Sequence, residues 1–432
     1  MDNNIILLAL TLVVLISYVF DLGAKHVRIP SVVLLIGSGI LIRIGMDSVG
    51  WEIPLVGNLL PVIGTMGLIL IVLEGALDLS LTRDKMGIMG RAVASAAIGL
   101  AITGFLAACV FHYGLGAEWR MAWLSAVPVA VISSAVAIPA ARNLSPKFRE
   151  FVVYESSISD ILGVLLFYAL LDGKGGFGFT ALFSIGNIIV STAVGVIFAV
   201  ALYWLINRIE AHVRFVPMIA GIAMLYAGGK LMGLAPLILV MVMGLILNNT
   251  FLLRRIPMFE RMHDPEFNVE LDAFKHLTAE ATFIVRTFFF VLLGYQTLLS
   301  DLASFEVWLY AGLLLICCFL PRPLLVRSFG GGKSLEPLVW FAPRGLITIL
   351  LFLTIPESQK IANLPGGTLM LLVLMSALLL TVGVLRYGDG KIIEQAEAMP
   401  SQDKAEAKPE QVESEQTPEP AESQGKPASK EA

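Results

Sequence analysis

Apolar runs of about twenty residues follow one another from near residue 5 to near residue 387. Each is long enough to cross about 30 Å of hydrocarbon as a helix. No other feature restricts this chain as strongly. Inside lipid a backbone must satisfy its own donors and acceptors, which leaves helices or closed barrels, and runs of this length are helical. Thirteen spans are expected, over residues 5–22, 30–45, 57–77, 89–113, 121–141, 150–171, 181–206, 214–232, 233–250, 276–299, 305–328, 335–356 and 364–387. The fold class that follows is an all-α polytopic membrane protein. Composition agrees: 57% of residues are hydrophobic and 15% charged, more apolar than a soluble domain requires. The opening MDNNIILLALTLVVLISYVF lacks a basic n-region and a small-residue cleavage site, so it reads as a retained first span rather than a signal peptide.

Lys and Arg in the links set the orientation. One set of alternate links, counting Arg322, Arg327 and Lys333 after the eleventh span, carries 17 basic residues, and the other carries 5. The richer set is expected on the cytoplasmic side. That puts the N-terminus outside and the C-terminus inside, as an odd number of spans requires. A transmembrane domain over residues 1–388 is therefore expected, with a tail over 389–432. The tail is rich in Glu, Pro, Ser, Gln and Lys and is expected to be disordered and cytoplasmic. Residues 251–275 could hold a short amphipathic surface helix. The three cysteines lie in apolar runs and form no disulfide framework or metal motif.

Two acids interrupt the sixth run. In VYESSISDILGVLLFYAL, Asp160 lies ten residues from the expected start of its span, about 15 Å deep and near the bilayer centre. A carboxylate there costs about 3 kcal/mol or more, so it faces protein or water. Residues four apart share a helical face, which pairs Glu155 with Ser159 and Ser156 with Asp160. Partners are available nearby. The fifth span holds Ser133 and Ser134 between Pro128 and Pro139, and the twelfth holds Pro343, Arg344 and Gly345. Both can open locally and free backbone carbonyls. They stand seven spans apart, which fits two inverted-topology repeats of six spans and a linker helix, with interrupted helices in corresponding places. Arg286 lies at similar depth in the tenth span and reads as core support. Glu155 with Arg344 reads as a structural charge pair. Asp160 is then left without a permanent partner, and a lone ionisable acid at that depth is functional by default. Glu74, Asp78 and Glu280 sit nearer span ends, where headgroups and water can meet them.

Proton and small cation both neutralise a carboxylate. A carrier that reorients only when Asp160 is neutralised by one or the other performs obligatory exchange. Hydroxyls at Ser133, Ser134, Ser156 and Ser159, with freed carbonyls, are hard oxygen ligands suited to Na⁺.

The segment ESSISD resembles the Glu-Ser-x-x-Asn-Asp signature of the monovalent cation:proton antiporter superfamily, the sodium/proton exchangers. RIPSVVLLIGSGILI, GLILIVLEGALDLSL, FIVRTFFFVLLG and FAPRGLITILLFL resemble further segments of that superfamily in the same order. The resemblance implies that Asp160 is the transport aspartate and that Glu155 and Arg344 form a core ion pair. It also implies crossed broken helices in the fifth and twelfth spans, a homodimer, and an elevator movement in a plasma membrane such as the bacterial inner membrane. Ser159 stands where the family has Asn or Asp, and ISSAVAIP departs from the Thr-Asp-Pro of the electroneutral branch. With no second titratable group at 159, one H⁺ per cation is expected.

The expected cargo is Na⁺, with Li⁺ or K⁺ possible, against H⁺, with membrane lipid as surroundings and no nucleic acid or cofactor. Competing readings are a potassium efflux channel or K⁺/H⁺ system on the same scaffold, and an organic-anion carrier gripping its substrate with Arg286 or Arg344. The tail carries no Gly-rich phosphate loop, which counts against a nucleotide-regulated potassium system, and the chain shows no Gly-x-Ser-x-Gly, no paired histidines and no metal-ligand cluster, so a membrane enzyme is not expected.

Overall fold

The computed structural model describes residues 11–12, 14–20, 31–50, 56–79, 81, 85–172, 177–206, 208, 215–251, 265–330 and 336–387. The expected tail, most of the link over 251–264, and the link charges Lys25, Arg28, Arg83, Arg214, Arg254, Arg255, Arg261 and Lys333 lie outside these residues. Among the described residues there is no strand. Residues 14–20 are helical. The helices that follow are α1 (Ser31–Val49), α2 (Val56–Asp78), α3 (Met86–Cys109), α4 (Trp119–Ala130), α5 (Ser134–Ala140), α6 (Pro146–Asp172), α7 (Phe177–Ile206) and α8 (Phe215–Leu231). After them come α9 (Pro236–Asn248), α10 (Pro265–Gln296), α11 (Phe305–Phe319), α12 (Arg322–Phe329), α13 (Glu336–Trp340), α14 (Leu346–Thr354) and α15 (Thr368–Tyr387). Eight helical segments among the described residues are long and apolar enough to cross a membrane, and α8 and α9 are shorter apolar helices.

Local chemistry explains the departures from the expected boundaries. Pro236 at the first position of α9 sets the division between the eighth and ninth spans: it suits a helix start and the chain turns at Met232–Ala235. α10 begins at Pro265, so residues 265–275 continue a long helix rather than forming a separate surface helix. The eleventh span divides at Leu320–Pro321 into α11 and α12. The fifth breaks over residues 131–133, between its two prolines rather than at either, and the twelfth over residues 341–345, with Pro343 and Gly345 inside the break.

Packing gathers the helices into two groups. α1, α2, α7, α8, α9 and α10 make their largest contacts with one another, and α3–α6 with α11–α15 do the same. In the first group the backbones of α1 and α10 touch. A Cβ on Gly39 would run into the Val291 carbonyl oxygen, and one on Gly294 into that of Ile36. Small residues permit such an approach between membrane helices, where dispersion rather than water expulsion drives packing. In the second group the two breaks meet: the Ser133 N–H donates to the Pro343 carbonyl at 3.0 Å. A Cβ at Gly345 would stand 2.6 Å from Ser133 Oγ, so the crossing has room only for glycine.

Candidate functional site

The crossing of the two breaks lies against α6. A broken helix exposes peptide groups that a continuous one would pair internally, and these become the walls of the site. The Ser134 N–H, at the start of α5, donates to Asp160 Oδ2 at 3.2 Å. The Ile132 N–H donates to Ser159 Oγ at 3.0 Å. Asp160 is 3% exposed, and its Oδ1 has no hydrogen-bond partner. Ser133 Oγ, also buried, has none either. Two unpartnered oxygens beside a helix break form an arrangement that a bare cation or a proton could complete, because a buried oxygen without a partner is costly. Ser156 does not join them: its hydroxyl donates to Val152 O at 2.7 Å, within its own helix.

The charge pair differs from the sequence expectation. Glu155 is held by Arg322, not Arg344. Nη1 and Nη2 of Arg322 meet Oε1 and Oε2 of Glu155 at 2.6 Å each, and Ser95 Oγ donates to Oε1 at 2.5 Å. Both side chains are buried. This forked, charge-assisted geometry is the strong form of the interaction. Arg322 therefore belongs to the core and not to a cytoplasmic link. It opens α12 between Pro321 and Pro323, where the backbone turns inward and brings its side chain under α3 and α6. The sequence held a signal for this: Arg322 lies six residues inside the expected span 305–328, about 9 Å from its end.

Arg344 is 1% exposed, and among the described residues no carboxylate lies within ion-pair distance of it. Its Nε meets Cys318 Sγ at 3.3 Å, its Nη1 donates to Ala342 O at 3.2 Å, and its backbone N–H donates to Ser376 Oγ at 2.9 Å. Ser159, Cys318, Arg322 and Arg344 line a cavity of about 10 Å³, room for about one water. Arg286 reaches in from α10, and its Nη1 donates to Ala135 O at 2.8 Å. Glu74, expected near a span end, lies in α2 facing Arg286 and Thr282 of α10. Among the described residues no three His, Cys, Asp or Glu side chains cluster closely enough to hold a resident metal.

The structure thus brings Asp160, Ser159, Ser133 and Ser134 together with Pro343 and Gly345. It leaves Ser156 bonded within α6 and places Glu155 against a different arginine.

No curated protein matches the sequence. Two solved structures of a sodium proton antiporter, MjNhaP1 from Methanocaldococcus jannaschii, share its fold. The structure obtained at pH 8 superposes with a TM-score of 0.68 at 21% identity, covering 90% of this chain and all of that one. The electron-microscopy structure superposes with a TM-score of 0.65 at 19% identity, covering 95% of this chain and all of that one. The family model described as sodium/hydrogen exchanger, transmembrane, matches residues 9–386, a stretch that contains every element of the site. This chain belongs to the transmembrane sodium/hydrogen exchanger family.

Proposed function

We propose that the chain exchanges one monovalent cation, Na⁺ first and Li⁺ or K⁺ second, for one H⁺ by competition at Asp160. Family membership supports cation/proton exchange by an integral membrane protein. One observation carries the finer reading. Asp160 is buried with one carboxylate oxygen unpartnered, at the meeting point of two broken helices and beside the unpartnered Ser133 hydroxyl. Ser133, Ser159 and the opened backbone supply neutral oxygens, and the Ser134 N–H orients the carboxylate. Glu155 is already neutralised by Arg322, so it has no free charge to trade. Ser159 brings no second acid, which favours an electroneutral cycle. The two helix groups fit an elevator in which α3–α6 and α11–α15 carry the site past the remainder. A homodimer in a plasma membrane, with the N-terminus outside, completes this reading.

The test uses purified protein in liposomes with an internal pH dye. Na⁺, Li⁺ or K⁺ added outside should move the internal pH, and Asp160→Asn should abolish the response. Retention of full exchange by Asp160→Asn overturns the assignment. A second reading, carriage of an organic anion, draws on Arg344, a buried guanidinium with no carboxylate partner among the described residues. It requires uptake of a carboxylate tracer that Arg344→Gln abolishes while cation-driven pH change is absent.

A further inference from the structure

We propose that Arg286 and Pro139 form a latch between the two helix groups, one that must part each time the site moves. The inference rests on the exchange cycle proposed above and adds a place where its movement is restrained. In an α-helix the carbonyl of residue 135 accepts from the N–H of residue 139. Residue 139 is proline and has no N–H, so α5 cannot satisfy its own Ala135 carbonyl. The donor comes from the other group: Arg286 Nη1 of α10 reaches Ala135 O at 2.8 Å. Proline and arginine are thus two halves of one contact, 147 residues apart in sequence. A charged donor on a part-buried peptide carbonyl is among the stronger single hydrogen bonds available.

Its place gives it consequence. α5 belongs to the group that holds Asp160, and α10 to the group whose backbones interlock at Gly39 and Gly294. The latched peptide directly follows Ser134, whose N–H donates to Asp160. A displacement of α5 against α10 stretches the Arg286–Ala135 contact. Glu74, facing Arg286 from α2, stays with α10 and keeps a countercharge beside the guanidinium when Ala135 leaves. The latch therefore opens without stranding a bare cation in the lipid interior, which would be costly. It resists movement while leaving the ligands of the cation unchanged.

The decisive variant is Pro139→Ala, which returns the missing N–H to α5 and so gives Ala135 O a partner within its own helix. Alanine suits a helix better than proline, so folding is not put at risk. In proteoliposomes the maximal exchange rate should rise about fivefold to tenfold, with the half-saturating cation concentration held within about twofold, as expected for losing one charge-assisted bond in the resting state only. Removing the donor instead, as Arg286→Gln with Glu74→Gln so that no carboxylate is left bare, should give the same rise. The triple variant should exceed neither, because both changes cut one bond. An unchanged or lower maximal rate in Pro139→Ala, a shift in half-saturation instead of rate, or multiplying effects in the triple variant overturns the latch. Should the Arg286/Glu74 pair fail to assemble, Pro139→Ala alone decides. Wild-type protein that exchanges no cation refutes the proposed function, whereas active wild type with an unresponsive Pro139→Ala refutes only the latch.

Discussion

Glu155 and Asp160 sit five residues apart on one helix and meet opposite fates. Glu155 has both oxygens filled by a forked guanidinium and a third bond from Ser95. Asp160 has one backbone donor and an idle oxygen. Removing one partner of a buried ion pair leaves an uncompensated charge and costs about 3–5 kcal/mol. Arg322→Gln should therefore sharply lower the thermal midpoint and the yield of monodisperse protein. Arg344→Gln, which strands no carboxylate, should stay near wild type in both. Equal damage from the two would contradict the pairing. At the mouth of the break, Ser133→Ala should raise the half-saturating cation concentration about tenfold, the scale of one hydrogen-bonding oxygen offered to an ion. Ser156→Ala should shift it less than about twofold, since that hydroxyl serves its own helix. Cation titration of pH-dye signals measures both. Asp160 was legible in the sequence because depth follows from position along a run. The partner of Glu155 was not. Arg322 and Arg344 both lie in the last third of the chain, and the choice between them depends on how α12 turns after Pro321, which no local pattern states.

Helices differ in how they tolerate one another. On α1, Gly37 faces open space while Gly39, two residues on, presses against α10. Gly37→Ala should be neutral or slightly stabilising, by up to about 1 kcal/mol from helix propensity. Gly39→Ala forces two backbones apart and should cost about 1–3 kcal/mol, read as a lowered melting midpoint of purified protein. Just before the first turn of α3 a milder tie operates: Lys85 Nζ meets Glu150 Oε1 of α6 at 2.9 Å. The hydrogen bond and charge of Glu150 hold the Lys85 ammonium above its ordinary titration range. A raised lysine contributes fully at neutral pH and loses its contribution only as pH climbs through that raised value. Both side chains are about a third or more exposed, so Lys85→Ala should cost less than about 1 kcal/mol and lose its effect in high salt. The breaks were legible as elements, since prolines flank one and lie within the other. Their exact residues were not, because Pro128 sits comfortably inside α4 and the opening falls where Ser133 meets Pro343.

For the whole molecule, the run lengths that announce helices are local and survive folding almost unchanged. The division into two groups is tertiary and left no trace in any single run. Moving Arg322 from link to core leaves the basic excess on the same side, so the expected orientation keeps its basis. An imposed membrane voltage tests the molecule as a unit. One acid exchanging one cation for one proton moves no net charge, so valinomycin-clamped potentials should leave the proteoliposome exchange rate unchanged. A rate that follows voltage would demand a second titrating group.

The salt bridge between α6 and α12 carries this to physiology. In the exchange proposed above, Glu155 is held by Arg322 and Asp160 would be the carboxyl that trades cargo. Such a machine draws on concentration differences alone. Each pH unit across the bilayer can hold about a tenfold ratio of the alkali metal and no more. The cell would reach the limit of its salt export when the two ratios match, whatever its electrical polarisation.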